Sequence, residues 1–593
     1  MSIQIGEVIA VMGVEVSLRA YENSNLETHF YNGRRYKGVS IREFISIEHG
    51  FREIICIVEG EYLDERKAEQ VGAQVRYERK LKARPIGFFE NAKFYDGIKF
   101  LPKIGDPAKL LSEEQVNRIF ERKANSDFVI GKLMKEEIAV SLPWQKLFNS
   151  HLGVFGNTGS GKSNTLAKLF TVLFDKKIDE IAQHSQFIFL DFNGEYTGEQ
   201  IVQSNRKCVL RLKTRTNDGD KFLLPEEEFW DVETLGILFQ ATANTQRPFL
   251  RRVISEREKF RDYPESLNNY VRSIFERVLM SESPNPEALE LLKSLSKNLE
   301  LCKDLVVAIH NVGYNNRNPG FFYKTQHDSH YFSTGKNTYN DYFSELVEAI
   351  DVGEVGGFKE LQCRAELKLI SDILYGFAQY DHINPLLRRI EALKNDFSKV
   401  LAVGIETTNS KAITVISLRD CNQDVKKILP IFLAKHFYNS HKERVSNSSP
   451  PNSTMHLVID EAHNILSQQS TREMESWKDY RLELFEEIIK EGRKFGVFIT
   501  LASQRPADIS ATIVSQLHNY FIHRLVNDRD LALLENTIST LDSVSRSQIP
   551  MLPQGGCVVT GTSFDIPMLI QVDKLDGDKE PDSSDVNLEK LWS

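Results

Sequence analysis

The chain has 593 residues, 41% of them apolar, with a net charge of −9 and an isoelectric point near 6.0. That length holds two or three domains with real cores. The acidic balance argues against a surface coated in basic patches but leaves room for a basic pore inside a ring. No run approaches 18 apolar residues, residues 1–10 have no basic stretch leading into an apolar one, and six scattered cysteines form no CxxC pair. These features predict no transmembrane helix, no secretory signal, no zinc or disulfide framework, and a reduced cytoplasmic setting.

Residues 1–140 read as a small β-barrel. Short β-branched runs such as Ile5-Gly-Glu-Val-Ile-Ala-Val11 and Glu53-Ile-Ile-Cys-Ile-Val58 are bounded by glycine or charge. Ala83-Arg-Pro-Ile-Gly87 and Leu101-Pro-Lys-Ile-Gly105 read as turns between them. One short helix is expected over 111–122.

From 141 to 228 the pattern becomes strand–loop–helix–strand: Leu152-Gly-Val-Phe155, a glycine-rich loop, a helical run over 163–177, then Gln186-Phe-Ile-Phe-Leu190 stopping at Asp191. That alternation predicts an α/β core with a parallel sheet covered by helices. Residues 229–397, with apolar residues at three- and four-residue spacing among charges, read as a helical insertion interrupted by a Gly/Asn/Tyr-rich loop over 313–340. The core resumes over 398–572, with strands at 400–405, 412–418, 455–459 and 497–502. An amphipathic helix precedes the last of these, with Trp477, Leu484, Phe485, Ile488 and Ile489 on one face and Gly492 as its stop. The tail, 573–593, is acidic until Leu588, Leu591 and Trp592, which are spaced for a short docking helix.

The chemistry concentrates in Gly156-Asn157-Thr158-Gly159-Ser160-Gly161-Lys162-Ser163, which fits GxxxxGK[ST] between a strand and a helix. Its glycines let backbone N–H groups, Asn164 included, wrap phosphate oxygens at a helix N-terminus. Lys162 is expected to neutralise the β- and γ-phosphates of ATP, and Ser163 to ligate Mg²⁺. A second carboxylate on an adjacent strand is needed for the metal. Asp191 ends one apolar strand, and Asp460-Glu461 ends another, His456-Leu-Val-Ile. The acidic pair suits hydrolysis better: Asp460 holds the Mg²⁺ shell while Glu461 polarises the attacking water, leaving Asp191 and Glu195 as auxiliary residues. Gln504 ends a third strand as a γ-phosphate sensor. Arg493 is the candidate arginine finger for a neighbouring subunit, with Arg505 and Arg524 as competitors. His151 and His463 are read as packing or capping residues.

Those motifs, with Leu190-Asp-Phe-Asn-Gly-Glu-Tyr196, Val458-Ile-Asp-Glu-Ala-His463, Glu491-Gly-Arg-Lys-Phe-Gly496 and Ala502-Ser-Gln-Arg-Pro506, occur in the order found in the HerA family of the HerA/FtsK superfamily. Gln246-Arg-Pro-Phe-Leu250 and Phe521-Ile-His-Arg524 extend the resemblance, which covers most of residues 1–572. It implies a RecA-like P-loop ATPase core behind an N-terminal β-barrel, with a C-terminal brace. It also implies a homohexamer threading double-stranded DNA through its pore as a translocase or helicase. Lys213, Arg215 and Lys221 are candidates for the pore. The resemblance further implies a separate effector, a nuclease or a sirtuin-like NAD hydrolase, in antiviral defence or DNA-end processing. Two alternatives remain open on the sequence: an ATP-switched scaffold that licenses the effector without translocation, and the motor of a conjugation or secretion complex.

Overall fold

The computed structural model describes residues 3–582 and 591–592, apart from 32, 67–75, 92, 121–127, 136, 262, 264, 333–336, 354, 405–410, 446–447, 470–474 and 565. Six antiparallel strands near the N-terminus close on themselves. In spatial order they are Glu15–Ala20, Gln4–Met12, Pro107–Leu110, Phe44–His49, Arg52–Arg66 and Arg76–Glu90, and the last pairs back to the first, with Val16 opposite Ala83. Alternate residues such as Val16, Leu18, Ile45, Ile47, Leu81 and Ala83 point inward and are buried, the period-2 pattern of a filled barrel. Ala83–Gly87, expected as a turn, instead lies inside the strand Arg76–Glu90. The ladder slips a register where Cys56 faces Pro85, so the proline occupies a bulge that needs no N–H from it. The expected helix forms over Glu113–Phe120; Arg122 lies outside the described residues.

The central sheet has eleven strands, labelled here in chain order: β1 (Val129–Leu133), β2 (Ala139–Ser141), β3 (Leu152–Phe155), β4 (Ser185–Asp191), β5 (Lys207–Lys213), β6 (Ile413–Asp420), β7 (Thr454–Ile459), β8 (Val497–Ser503), β9 (Asn519–Ile522), β10 (Gly556–Gly561) and β11 (Met568–Val572). Their spatial order is β2-β1-β11-β10-β9-β3-β8-β7-β4-β6-β5. From β9 to β5 the strands are parallel, and β10, β11, β1 and β2 complete an antiparallel flank. β3 and β8 are buried at every position, as strands covered on both faces must be. The strands β1 and β2, inside the segment read as barrel, therefore belong to this α/β core.

The segment between β5 and β6 is mostly helical, with Gln246–Phe260, Ser266–Leu279, Pro286–Asn298, Lys303–His310, Gly357–Leu374 and Tyr380–Val400 as its main helices. Leu401–Gly404 pairs with Phe222–Pro225 outside the central sheet; Ile405, the expected end of that strand, lies outside the described residues. The stretch expected as a loop over 313–340 holds a three-stranded antiparallel sheet, Val312–Asn315, Gly320–Lys324 and Ser329–Tyr331. Its aromatic residues are strand formers that pair across the strands: Phe322 and Tyr331 have ring centroids 5.7 Å apart.

Trp477, Leu484, Phe485, Ile488 and Ile489 are all buried on one face of the helix Glu475–Glu491. That helix passes into a 3₁₀ turn at Gly492, and the left-handed residue that ends the turn is Gly496, at φ 73°. In the tail, Leu591 and Trp592 are exposed, and Leu588 lies outside the described residues. No helix among the described residues is long and apolar enough to cross a membrane.

Candidate active site

The loop after β3 turns at the carboxyl ends of the parallel strands. Gly159 and Gly161 have φ of 74° and 104°, a region that residues with a Cβ seldom enter. A Cβ on Gly161 would also stand 2.9 Å from the Gly555 backbone. Neighbouring strand ends lock the loop. Asn157 donates its N–H to Arg524 O at 3.0 Å and accepts Val526 N on Oδ1 at 3.1 Å. Gly156 N donates to Ser503 O at 3.2 Å, and Gly555 N to Ser160 O at 2.9 Å. Asn164 faces the other way and holds the tail, donating to Asp573 O and accepting from Leu575 N.

Lys162 opens the helix Lys162–His184 and is 5% exposed. Its Nζ donates to Asp460 Oδ1 at 3.0 Å and to Glu461 Oε1 at 3.1 Å. Burial opposes its charge, but Asp460 and Glu461 outweigh that, and its pKa lies above the ordinary lysine value. The acids do not come from a strand adjacent to β3, as the sequence reading expected. β8 lies between β3 and β7, so the residue that follows β8, Gln504, sits between the loop and the acids. Gln504 Nε2 donates to Glu461 Oε1, and Gln504 Oε1 accepts the Thr158 hydroxyl, each at 2.5 Å.

Glu461 has a φ of 48°, a left-handed conformation that costs a non-glycine residue about 1 kcal/mol or more. The turn is imposed from both sides: Asp460 N donates to Leu190 O on β4, and Ala462 N to Ala502 O on β8. His463 is drawn into the same network, its Nδ1 lying 3.3 Å from both Glu461 Oε2 and Ser503 Oγ. Burial keeps its pKa below the ordinary histidine value.

Two further acids stand beside this group. Asp191 accepts N–H groups from Gly194 (2.7 Å), Glu195 (3.0 Å) and Tyr196 (3.0 Å). Its oxygens are thereby spent in folding the loop, which returns Glu195 toward Ser163. Burial and the charge of Asp460 push Glu195 up to about 7, with a Ser163 hydrogen bond acting the other way; the same two causes raise Asp191 to about 6. Glu195 Oε2 and Asp460 Oδ2 are buried without a hydrogen-bond partner. Asp460, Glu461 and Glu195 therefore act together on the Lys162 ammonium, and Glu195 and Asp460 each keep one oxygen free. That donor set fits a hard divalent cation.

Not every candidate converges here. Arg493 lies in the turn before Val497, at the opposite, N-terminal edge of the sheet, roughly 20 Å along β8 from its carboxyl end. Arg505 and Arg524 follow β8 and β9 at the P-loop edge, and both are exposed. His151, also at the far edge, accepts Ile499 N on Nδ1 and donates from Nε2 to Ile489 O, a clamp between strand and helix. Lys213 ends the edge strand β5, paired with Asp218, and Arg215 and Lys221 are exposed on the loop beyond it. His523, which carried no role in the sequence reading, lies buried against the P-loop, its Nδ1 donating to Gly556 O.

Fold and site together define a P-loop nucleotide-binding core of the ATPase kind. Residues 128–314 match the family model described as "Helicase HerA, central domain". The chain is similar to the DNA double-strand break repair helicase HerA of Sulfolobus acidocaldarius, at 23% identity across 87% of this chain and 83% of that protein. It is also similar to the HerA of Sulfurisphaera tokodaii, at 23% identity across 83% and 77%. Among solved structures, VirB4 of Thermoanaerobacter pseudethanolicus aligns with a TM-score of 0.42 at 12% identity, over 77% of this chain and 98% of that one. The plasmid coupling protein TrwB, in complex with a non-hydrolysable ATP analogue, aligns with a TM-score of 0.40 at 12% identity, over 80% and 95%.

Proposed function

We propose that the chain is an ATP-driven DNA translocase or helicase of the HerA type, working as a homohexameric ring on duplex DNA. The observation that carries its chemistry is Lys162 held between Asp460 and Glu461, with Gln504 joining Glu461 to the P-loop. Similarity to archaeal HerA helicases along most of the chain supports DNA as the track.

In this reading the loop N–H groups and Lys162 bind the ATP phosphates, and Lys162 leaves the two acids as it does so. Ser163 and Asp460 would hold Mg²⁺, with Glu195 beside them; the ion, when bound, offsets phosphate charge. Freed from Lys162, Glu461 accepts the proton of the attacking water. Gln504 keeps Glu461 oriented and passes its position to the loop. An arginine of the neighbouring subunit completes the site. Arg493 serves only if the neighbour's P-loop edge packs against the far edge of this sheet, whereas Arg505 and Arg524 already border their own P-loop. A separate effector, a nuclease or a sirtuin-like NAD hydrolase, acts with the ring in antiviral defence or DNA-end processing.

The test is steady-state ATP hydrolysis by the purified chain with and without linear duplex DNA, alongside its mass in solution. A hexamer whose turnover rises several-fold with DNA is expected. Turnover indifferent to DNA would reject the motor and favour a ring that uses ATP only to assemble its effector.

A further inference from the structure

The helical insertion contains a cavity of about 360 Å³ that is separate from the P-loop. It opens between the helices Pro286–Asn298, Gly357–Leu374 and Tyr380–Val400, with His310 at its side. Clefts between bundle helices are common places for ligands. We propose that this cavity binds a nucleoside monophosphate whose base carries an exocyclic amino group.

Three features of the lining point to that chemistry. The first is a carboxyl group with one oxygen in use and one idle. Glu366, which lines the cavity, is 4% exposed. Its Oε1 accepts Asn298 Nδ2 at 2.7 Å, Gln362 Nε2 at 3.0 Å and Ser294 Oγ at 3.4 Å, while Oε2 is buried with no partner. An idle buried carboxyl oxygen is costly, and an N–H donor from a ligand relieves it. Burial raises the Glu366 pKa to about 7, and a donor on Oε2 favours the ionised form.

The second feature is the wall. Leu291 and Leu387, both 6% exposed, and the half-buried Tyr380 offer an apolar surface that suits a flat ring. The third is the mouth, where Lys293, Lys297 and Arg388 gather. Lys293 pairs with Glu290 and Arg388 with Glu391, both at 3.0 Å and three residues apart on their own helices. The Arg388 pair is exposed and of the weak kind, and Lys297 is exposed beside it, so these two cations remain available to a phosphate. A donor at the floor, a flat body at the wall and an anion at the mouth describe an amino-base nucleotide, and the cavity volume lies in the range that holds a small ligand.

The proposal does not rest on the ATPase reading, and its test keeps the two apart. With Mg-IDP, whose base has no exocyclic amine, present in excess to occupy the P-loop, the full chain is titrated calorimetrically with CMP, UMP and cytidine. CMP is expected to bind once per chain. UMP, which sets a carbonyl in place of the amine, and cytidine, which lacks the phosphate, are each expected to bind about tenfold more weakly, the loss of one charge-assisted hydrogen bond. The exposed substitution Lys297→Glu should weaken CMP about tenfold while leaving the melting temperature and ATP hydrolysis unchanged. Glu366→Gln should remove the preference for CMP over UMP. No CMP binding at millimolar concentration, equal binding of CMP and UMP, or a preference that survives Glu366→Gln would each overturn the proposal.

Discussion

Gln504 reaches Glu461 through a 2.5 Å hydrogen bond from Nε2 to Oε1, and the other end of the same amide receives the Thr158 hydroxyl. One side chain thus couples the carboxylate proposed to activate water to the loop proposed to grip phosphate. Glu461→Gln is expected to lower kcat for ATP hydrolysis by about 10²-fold or more while nucleotide still binds. Gln504→Ala should also lower kcat, by about tenfold, the cost of one hydrogen bond to a charged group, with little change in KM. Steady-state kinetics and fluorescent-nucleotide binding check both. Near-normal turnover in Glu461→Gln would remove that residue from the base role.

Among the described residues, Lys162 is the one cation hydrogen-bonded to the buried Asp460–Glu461 pair. Lys162→Ala should therefore do more than abolish ATP binding. Left without their partner, the acids should destabilise the nucleotide-free protein by about 3–5 kcal/mol, read from urea unfolding in the absence of magnesium. An unchanged unfolding midpoint would show that the ion pair contributes nothing to the folded state.

Glu195 brings an idle oxygen to the side of Ser163. Glu195→Gln should raise the Mg²⁺ concentration needed for half-maximal ATP hydrolysis about tenfold, the usual cost of losing a residue that supports a metal site. The metal requirement of nucleotide-dependent fluorescence should shift in parallel. An unaltered Mg²⁺ titration would leave Glu195 a structural residue of its loop.

Glu366 titrates higher in the folded protein than its ordinary value, near 7 rather than 4.5, because it is buried. The folded state therefore holds its proton more tightly than the unfolded chain does. The stability this confers is complete below pH 4.5 and is lost as pH rises through 7. Over that window the contribution is at most about 3 kcal/mol. Unfolding midpoints measured from pH 5 to 8 should fall more steeply in the wild type than in Glu366→Gln. Parallel curves would show that the carboxyl is already ionised at pH 5.

The sequence was most legible where function is local in the chain. The P-loop needs glycines, a lysine and a serine within one short stretch, 156–163, and the strand and helix around it have their own apolar periods. Asp460 and Glu461 follow the apolar run Leu457-Val458-Ile459, and the buried face of the helix holding Trp477 and Ile488 follows from spacing alone. Less legible were features set by a distant partner. Pro85 punctuates a strand only in the bulge opposite Cys56, and the aromatic residues over 313–340 become strands only once they pair.

What composition and motif order determined was an α/β ATPase core behind a barrel, together with the loop and the acid pair that meet at Lys162. Tertiary structure decided the wiring. It slid β8 between β3 and β7 and so put Gln504 at the centre. It spent the oxygens of Asp191 on backbone and left one oxygen each of Glu195 and Asp460 free, and it set Arg493 at the far edge of the sheet. Strand order and hydrogen-bond partners join residues hundreds of positions apart, and a pattern confined to neighbours in the chain carries no record of that pairing.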